Sequence, residues 1–347
     1  MPQTPTHWFD AHLDLAYIAL SGRDMLAEDP ASAGGEDPPG AISLPSLRSG
    51  RFSACLATIF CEPDGKPSSP VSYPSADIES AHAAGRRQLD LYNQWATQGL
   101  IRLGPPNTPV NLTGTIHCSI LMEGADPIRT PDELTWWHTQ GVRVIGMAWA
   151  RASRYAAGNA TPASEDRGLT DLGRALVQGI DNLHIIHDIS HLSDRALDDL
   201  FSLTSRPVIA SHSNVRALID RDGPDVRQRH LRDDTIREIA RRGGMIGVNL
   251  FSPFIIAGAK RDRRASLEEW ADHVEHICAL AGGRSHVGLG SDMDGGFSAH
   301  MMPDGINLPA DASKLLDALA ARKWPPSDLE GFAHANWARF WKTTATS

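Results

Sequence analysis

Basic side chains, cysteines and long apolar runs are all scarce in this 347-residue chain, and each shortage excludes a class of protein. Lys plus Arg number 33 against 42 Asp plus Glu, a net charge of −9 with histidines neutral. A deficit of that sign argues against nucleic-acid and anionic-membrane partners, both of which need a basic footprint. No stretch approaches the roughly 18 uncharged apolar residues of a membrane-spanning helix. The opening MPQTPTHWFDAHLDL lacks the basic segment, apolar core and small-residue cleavage site of a secretory signal. The ending FWKTTATS lacks the apolar tail of a lipid-anchor signal. The cytoplasm is the expected compartment. Cys55, Cys61, Cys118 and Cys278 are too few for a disulfide scaffold and too far apart for a CxxC motif, so all four read as reduced, buried thiols. Asn111-Leu-Thr and Asn159-Ala-Thr match the glycosylation acceptor pattern, which without a secretory signal reads as chance.

What is present is the balance of a globular protein with an ample core, 41% hydrophobic and 22% charged. Eight short β-rich runs recur: Trp8 to Leu15, Ser53 to Phe60, Gly114 to Met122, Val142 to Trp149, Leu183 to Ser190, Pro207 to His212, Met245 to Leu250 and His286 to Asp292. Helical periodicity marks 76–99, 131–140, 170–182, 193–204, 233–242, 266–281, 312–322 and 327–342. Thr130-Pro-Asp-Glu133 and Ser266-Leu-Glu-Glu269 read as capping boxes, and Gly282-Gly283 as a helix stop. Eight strands alternating with helices predict an α/β fold of the (β/α)8 TIM-barrel type, a single domain over 1–347 with long loops at the barrel mouth. A doubly wound open sheet would carry a glycine-rich turn after its first strand, where His12-Leu-Asp-Leu-Ala-Tyr stands instead. Ser21 to Gly50 reads as a rim loop. Ser252 to Ala265, with Lys260, Arg261, Arg263 and Arg264, reads as a lid or as a solvated basic loop.

In that fold the chemistry sits at the carboxyl ends of the strands. His12 and Asp14 end the first run, two apart and so on one face of a strand. Glu123 follows the third run, Asp188-Ile-Ser-His191 ends the fifth, His212 ends the sixth and Asp292 the eighth. A buried cluster of imidazoles and carboxylates without basic partners is costly unless a cation neutralises it. Three histidines with two or three carboxylates form the donor set of a zinc-type hydrolytic site, with enough ligands for two ions. Elsewhere, His273 and His276 lie three apart on a helix outside the barrel and read as structural. His187 reads as a hydrogen-bonded interior residue below His191, and Trp136-Trp137 as helix packing.

Across nearly its whole length the chain resembles the membrane (renal) dipeptidase family of the amidohydrolase superfamily. The resemblance rests on Asp10-Ala-His12-Leu-Asp14-Leu, on Gly168-Leu-Thr-Asp-Leu-Gly173 running to Asp188-Ile-Ser-His191-Leu-Ser193, on Pro207-Val-Ile-Ala-Ser-His212-Ser and on Gly290-Ser-Asp292-Met-Asp294-Gly295. It implies two divalent ions, zinc first among the candidates. His12 and Asp14 would hold one ion, His191 and His212 the other, and Glu123 would bridge them. It further implies that Asp292 is the catalytic carboxylate, and that Arg229 receives the free carboxylate of a small-molecule substrate, a dipeptide or other small amide. For Arg229 the competing reading is a surface salt bridge with Asp233 or Asp234. The implied reaction is attack by a hydroxide shared between the two ions, with Asp292 passing the proton to the leaving amine. A homodimer is implied by the resemblance alone.

The chain departs from the family at Gly141-Val-Arg-Val-Ile-Gly-Met-Ala-Trp149, where Trp149 stands in place of a histidine that contacts the substrate and stabilises the oxyanion. An indole donates one hydrogen bond and carries no positive charge. Losing an oxyanion donor costs about 10²–10³ in turnover. Arg151, Arg154 or Tyr155 are the expected replacements, with Tyr155 and Trp149 as substrate-binding residues. At the seventh strand Asn249-Leu-Phe251 replaces a frequent Asn-Phe-Tyr. Hydrolysis of a dipeptide or N-acyl amino acid is the leading reading. The alternatives are a lactone or cyclic amide as substrate, and a metal-retaining paralogue that binds a ligand with little turnover.

Overall fold

Each of the eight apolar runs forms a strand in the computed structural model, which describes residues 7–66, 69–108, 114–219, 228–256 and 263–344. The strands are β1 (Trp8–Leu13), β2 (Phe52–Phe60), β3 (Ile116–Glu123), β4 (Val142–Gly146), β5 (Ile186–Asp188), β6 (Val208–Ala210), β7 (Met245–Val248) and β8 (Val287–Leu289). All pair in parallel in that order. The β8–β1 seam is closed by side chain as much as by backbone. The Asp292 amide donates to the His12 carbonyl at 3.3 Å, and the buried Asp10 carboxylate accepts the Ser291 amide at 2.8 Å and the His12 amide at 3.2 Å. The result is a nearly closed eight-stranded barrel with helices outside it.

Two apolar layers follow from strand alternation. Inside, Phe9, Ala11, Ala54, Leu56, Leu121, Val144, Ile186, Ile209 and Met245 fill the barrel, and Trp337, Phe340 and Trp341 of the helix Asn336–Thr344 plug its lower end. Outside, the helices Ile78–Thr97, Asp171–Asn182, Asp194–Leu203, Asp233–Arg241, Leu267–Ala281 and Ser313–Ala321 bury their apolar stripes against the strands. The lower end is thus dry and packed, which leaves the upper end for chemistry.

Start and stop signals act in part as the sequence implies. Ser266 and Glu269 form a reciprocal capping box, and Gly282 ends that helix in the left-handed conformation at φ +74°. Thr130 makes no side-chain cap; a 3-10 turn over Pro131–Glu133 precedes the helix Leu134–Thr139. Glu133 is drawn away to Arg129, accepting from its backbone amide at 2.8 Å and pairing with its guanidinium. The expected helix over 327–342 is three pieces, Pro326–Glu330, a π segment Gly331–Ala335, and Asn336–Thr344. Within the rim loop a short helix, Leu44–Ser49, forms. A further strand, Ile101–Leu103, pairs with β3.

Both irregular stretches are tied down where they are described. Asp294, after β8, accepts Arg23 Nη1 at 2.8 Å and the amides of Ala41 and Ile42 at 2.8 to 2.9 Å, so it pins the rim loop beside the barrel mouth. Arg263 pairs with Glu269, and Arg264 donates to the carbonyls of Met302 and Pro303 and to Asn307. These two cations are engaged away from the mouth, whereas Lys260 and Arg261 lie outside the described residues, as does Asn111. The four cysteines are free and buried. No described helix is long and apolar enough to cross a membrane.

Candidate metal centre

Glu123 stands at the centre of the upper end, the last residue of β3 after the apolar stretch Ile120-Leu-Met122. Its two oxygens face different neighbours. Oε1 lies 2.8 Å from His191 Nε2 and 3.4 Å from His212 Nε2, while Oε2 lies 3.5 Å from His12 Nε2. His12 Nε2 is in turn 3.7 Å from Asp14 Oδ1 and 3.9 Å from Asp292 Oδ1. Two groups result: Glu123, His191 and His212 on one side, and His12, Asp14 and Asp292 on the other. All six side chains are buried. His12 and Asp14 do not converge by strand alternation as expected. β1 ends at Leu13 with a register shift between Asp10 and Leu13, and Asp14 begins the helix Leu15–Leu20.

The donors are oriented from behind. Asn159 Oδ1 lies 2.9 Å from His191 Nδ1, and Ser211 Oγ lies 2.7 Å from His212 Nδ1 and 3.3 Å from His12 Nδ1. Thr58 Oγ1 donates to Asp14 Oδ1. Asn249 Nδ2 donates to Asp292 Oδ2 at 2.8 Å, leaving Oδ1 toward the cluster. Asp292 has φ +59°, a left-handed backbone that aspartate tolerates better than most residues. The turn leaves no room beside it: a Cβ on Gly295 would stand 1.9 Å from Asp292 Oδ1.

The electrostatics call for positive charge. Burial disfavours a charged His12, yet Glu123 above all, then Asp14 and Asp292, raise it to about 10. Burial raises Asp14 to about 6 and Asp292 to about 8, with Glu123 adding to both and Asp14 to Asp292. Glu123 is held below its ordinary range by His12 and His191 despite its burial. Burial and the nearby Arg229 lower His191 to about 4, and burial and His12 lower His212 well below its usual value. Two imidazoles that stay neutral therefore present Nε2 atoms 2.9 Å apart to one carboxylate oxygen. His12 Nε2 is buried with no hydrogen-bond partner. Nitrogen and oxygen donors converging on one buried carboxylate suit divalent metal ions.

A cavity of about 370 Å³ opens above the cluster, lined by Asp14, Glu123, His191, His212 and Asp292 below, and by Arg229, Trp149 and phenylalanines around. Arg229 is only 6% exposed and has no salt bridge among the described residues, which removes the surface reading: Asp233 pairs with His276, and Asp234 with Arg232. Its guanidinium donates to the carbonyls of Ser190 and His212 and to Ser213 Oγ, and stacks 5.1 Å from Phe254, while Nε has no partner. Trp149 lines the cavity between Phe60, at 5.0 Å, and His191, at 6.1 Å.

The expected replacement donors are elsewhere. Tyr155 is fully buried and donates to the Ile128 carbonyl at 2.6 Å, outside the cavity lining; its neighbours draw it into loop packing. Arg151 pairs with Asp64, and Arg154 donates to the Arg129 carbonyl. His187 contacts Asp181 on the helix side of β5, so it is buried outside the barrel interior. The reading missed Asn159, Ser211 and Asn249 as site residues. The available signals were the adjacency of Ser211 to His212 and the place of Asn249 at the end of the seventh strand, in Asn249-Leu-Phe251.

A family model for "Membrane dipeptidase (Peptidase family M19)" matches residues 3–347. The chain belongs to that family. An uncharacterised dipeptidase of Schizosaccharomyces pombe is 31% identical over 67% of this chain, a match spanning only about half (54%) of that protein's length. Dipeptidase aclJ of Aspergillus oryzae is 27% identical over 86% of this chain and 68% of its own. Among solved structures, a metallo peptidase from Rhodobacter sphaeroides, liganded with a phosphinate mimic of the dipeptide L-Ala-D-Ala, superposes with a TM-score of 0.81 at 24% identity, covering 98% of this chain and 99% of that one. That likeness shows the shared barrel fold, which this member of the M19 family builds with a tryptophan at the mouth.

Proposed function

We propose that this chain is a hydrolase of a dipeptide or similar small amide that works with two divalent cations, zinc first among them. The observation that carries the reading is the division of the Glu123 oxygens between two donor groups, the arrangement expected of a bridging ligand. His12 and Asp14 would hold one ion, and His191 and His212 the other. When bound, such a pair supplies Lewis acidity toward the scissile carbonyl and acidifies water toward neutral pH. The remaining steps belong to the chain. Asp292, anchored through Oδ2 by Asn249, keeps Oδ1 toward the cluster, so it takes a proton and returns it to the leaving amine. Arg229, fixed by three acceptors and lacking a carboxylate partner, receives the carboxyl end of the substrate. The ring of Phe60, Trp149, Phe251, Phe254 and Phe297 excludes water from the reacting bond.

The dipeptide mimic held by the Rhodobacter relative supports a dipeptide with a D-residue at the carboxyl end as the first substrate to try. A second reading rests on Trp149: with that ring in the cavity, none of the expected replacement donors, Arg151, Arg154 and Tyr155, is in place, each being engaged elsewhere. It makes the chain a metal-retaining paralogue acting on a lactone or cyclic amide, or binding a ligand with little turnover. A panel of dipeptides, with L- and D-residues at the carboxyl end, separates the two when assayed with zinc and with chelator. Chelator-sensitive cleavage is expected under the first reading. Bound metal without cleavage of any member supports the second, and Trp149→His should then raise dipeptide turnover by about 10²-fold or more. A homodimer and a cytoplasmic setting remain part of the proposal; light scattering tests the first.

A further inference from the structure

Behind the cluster lies a hydrogen-bonded unit to which the proposed chemistry assigns nothing. Asp188, at the end of β5, is buried and accepts four hydrogen bonds. Its Oδ1 takes the amides of Ser190 and Ser211 at 3.1 and 2.9 Å and the Ser190 hydroxyl at 2.8 Å. Its Oδ2 takes the Ser211 hydroxyl at 2.6 Å. The Ser211 proton is therefore committed to Asp188, and a hydroxyl whose proton is spent offers its lone pairs only. Those lone pairs face two rings: His212 Nδ1 at 2.7 Å and His12 Nδ1 at 3.3 Å. Both rings must then donate from Nδ1 to Ser211, which leaves Nε2 as the nitrogen directed at Glu123 and available to a cation. Ser211 cannot drift. Its carbonyl is packed so closely against the neighbouring strands that a Cβ on Gly247 or Gly290 would stand 2.0 or 1.8 Å from it.

We propose that Asp188 and Ser211 are positioning residues that set the metal-binding tautomer of His12 and His212 together, so that one hydroxyl serves both cation sites. Asn159 does the same for His191 alone, through its 2.9 Å contact to Nδ1. The inference rests on the two-cation reading and adds an asymmetry to it. Loss of the Asp188–Ser211 unit weakens both sites, whereas loss of Asn159 weakens one. Asp188 also lies within reach of His12 and His212 as a possible ligand. Its four accepted hydrogen bonds, and the Nδ1 atoms that the unit engages, place it behind the rings instead.

Asp188→Asn is the sharpest variant. It keeps the shape and an oxygen for the two backbone amides, but puts an N–H where Oδ2 accepted. The Ser211 hydroxyl then turns its proton toward an imidazole and favours the wrong tautomer. Wild type, D188N, S211A and N159A, each checked for folding by circular dichroism, are stripped of metal and titrated with Zn²⁺ against a chromogenic chelator. The expected result is two ions in wild type, both weakened about 10–100-fold in D188N and S211A, and one weakened in N159A. A wild type that takes two ions, with D188N or S211A binding both as tightly, overturns the inference alone. Loss of a single ion in D188N overturns it too, since that is the behaviour of a direct ligand. A wild type that takes up no ion overturns the two-cation reading beneath it.

Discussion

At the scale of single residues, the proposed site separates a group that holds charge from one that would move protons. Glu123 faces three imidazoles and stays ionised, whereas Asp292 is raised to about 8 by burial beside Asp14 and Glu123. The two carboxylates should therefore fail differently. Asp292→Asn is expected to lower kcat by about 10²–10⁴-fold while the chain keeps both ions, because the variant removes a proton carrier rather than a bridge. Glu123→Ala should release one ion or both. Elemental analysis beside steady-state kinetics checks the pair; loss of metal in the Asp292 variant would make that residue a ligand. The donors themselves were legible in the sequence because His12, Asp14, Glu123, His191, His212 and Asp292 each end an apolar run. Their supports were not. Asn159 reads as a chance glycosylation acceptor and Ser211 as one serine among many, since a hydrogen bond between distant loops leaves no periodic trace. Tyr155 failed for a related reason: nearness to Trp149 in the chain says nothing about which way a loop residue turns.

At the scale of elements, the mouth is held by a few polar clasps. Asp294 pins the rim loop through Arg23, and His273 joins the helix Leu267–Ala281 to two loops above the barrel. The Val215 amide donates to His273 Nδ1, and His273 Nε2 donates to the Ile255 carbonyl, each at 3.0 Å. Burial lowers His273 to about 4 from its ordinary 6.5. The folded chain thus keeps this ring neutral where the unfolded chain binds a proton. The stability it supports is complete above pH 6.5 and is lost as the pH falls toward 4, by up to about 3 kcal/mol. Urea unfolding of wild type and His273→Gln across that window should show a shallower pH slope in the variant; equal slopes would contradict the assignment. The strands and most helices were legible because each carries its own apolar period. Thr130 shows the limit, since its capping partner Glu133 is claimed by Arg129, a competition that spacing cannot reveal. The broken helix over 327–342 shows another: its last piece follows the shape of the barrel's lower end, which belongs to other strands.

At the scale of the whole molecule, the barrel divides labour between its ends. The lower end is closed by Trp337, Phe340 and Trp341, and the upper end gathers residues from the ends of four other strands around Glu123. A chain with 42 acidic and 33 basic residues places Arg229 in the cavity lining without a salt bridge among the described residues, beside Asp14, Glu123 and Asp292, whose only ion-pair partners among the described residues are histidines. On the proposed reading both needs are met from outside, by divalent ions below and a substrate carboxylate above. The most direct measurement is the metal content of the freshly purified, folded chain by elemental analysis. Two divalent ions per chain, removable by chelator and restored with zinc, is the predicted result. A folded chain that contains none and takes up none would contradict the account.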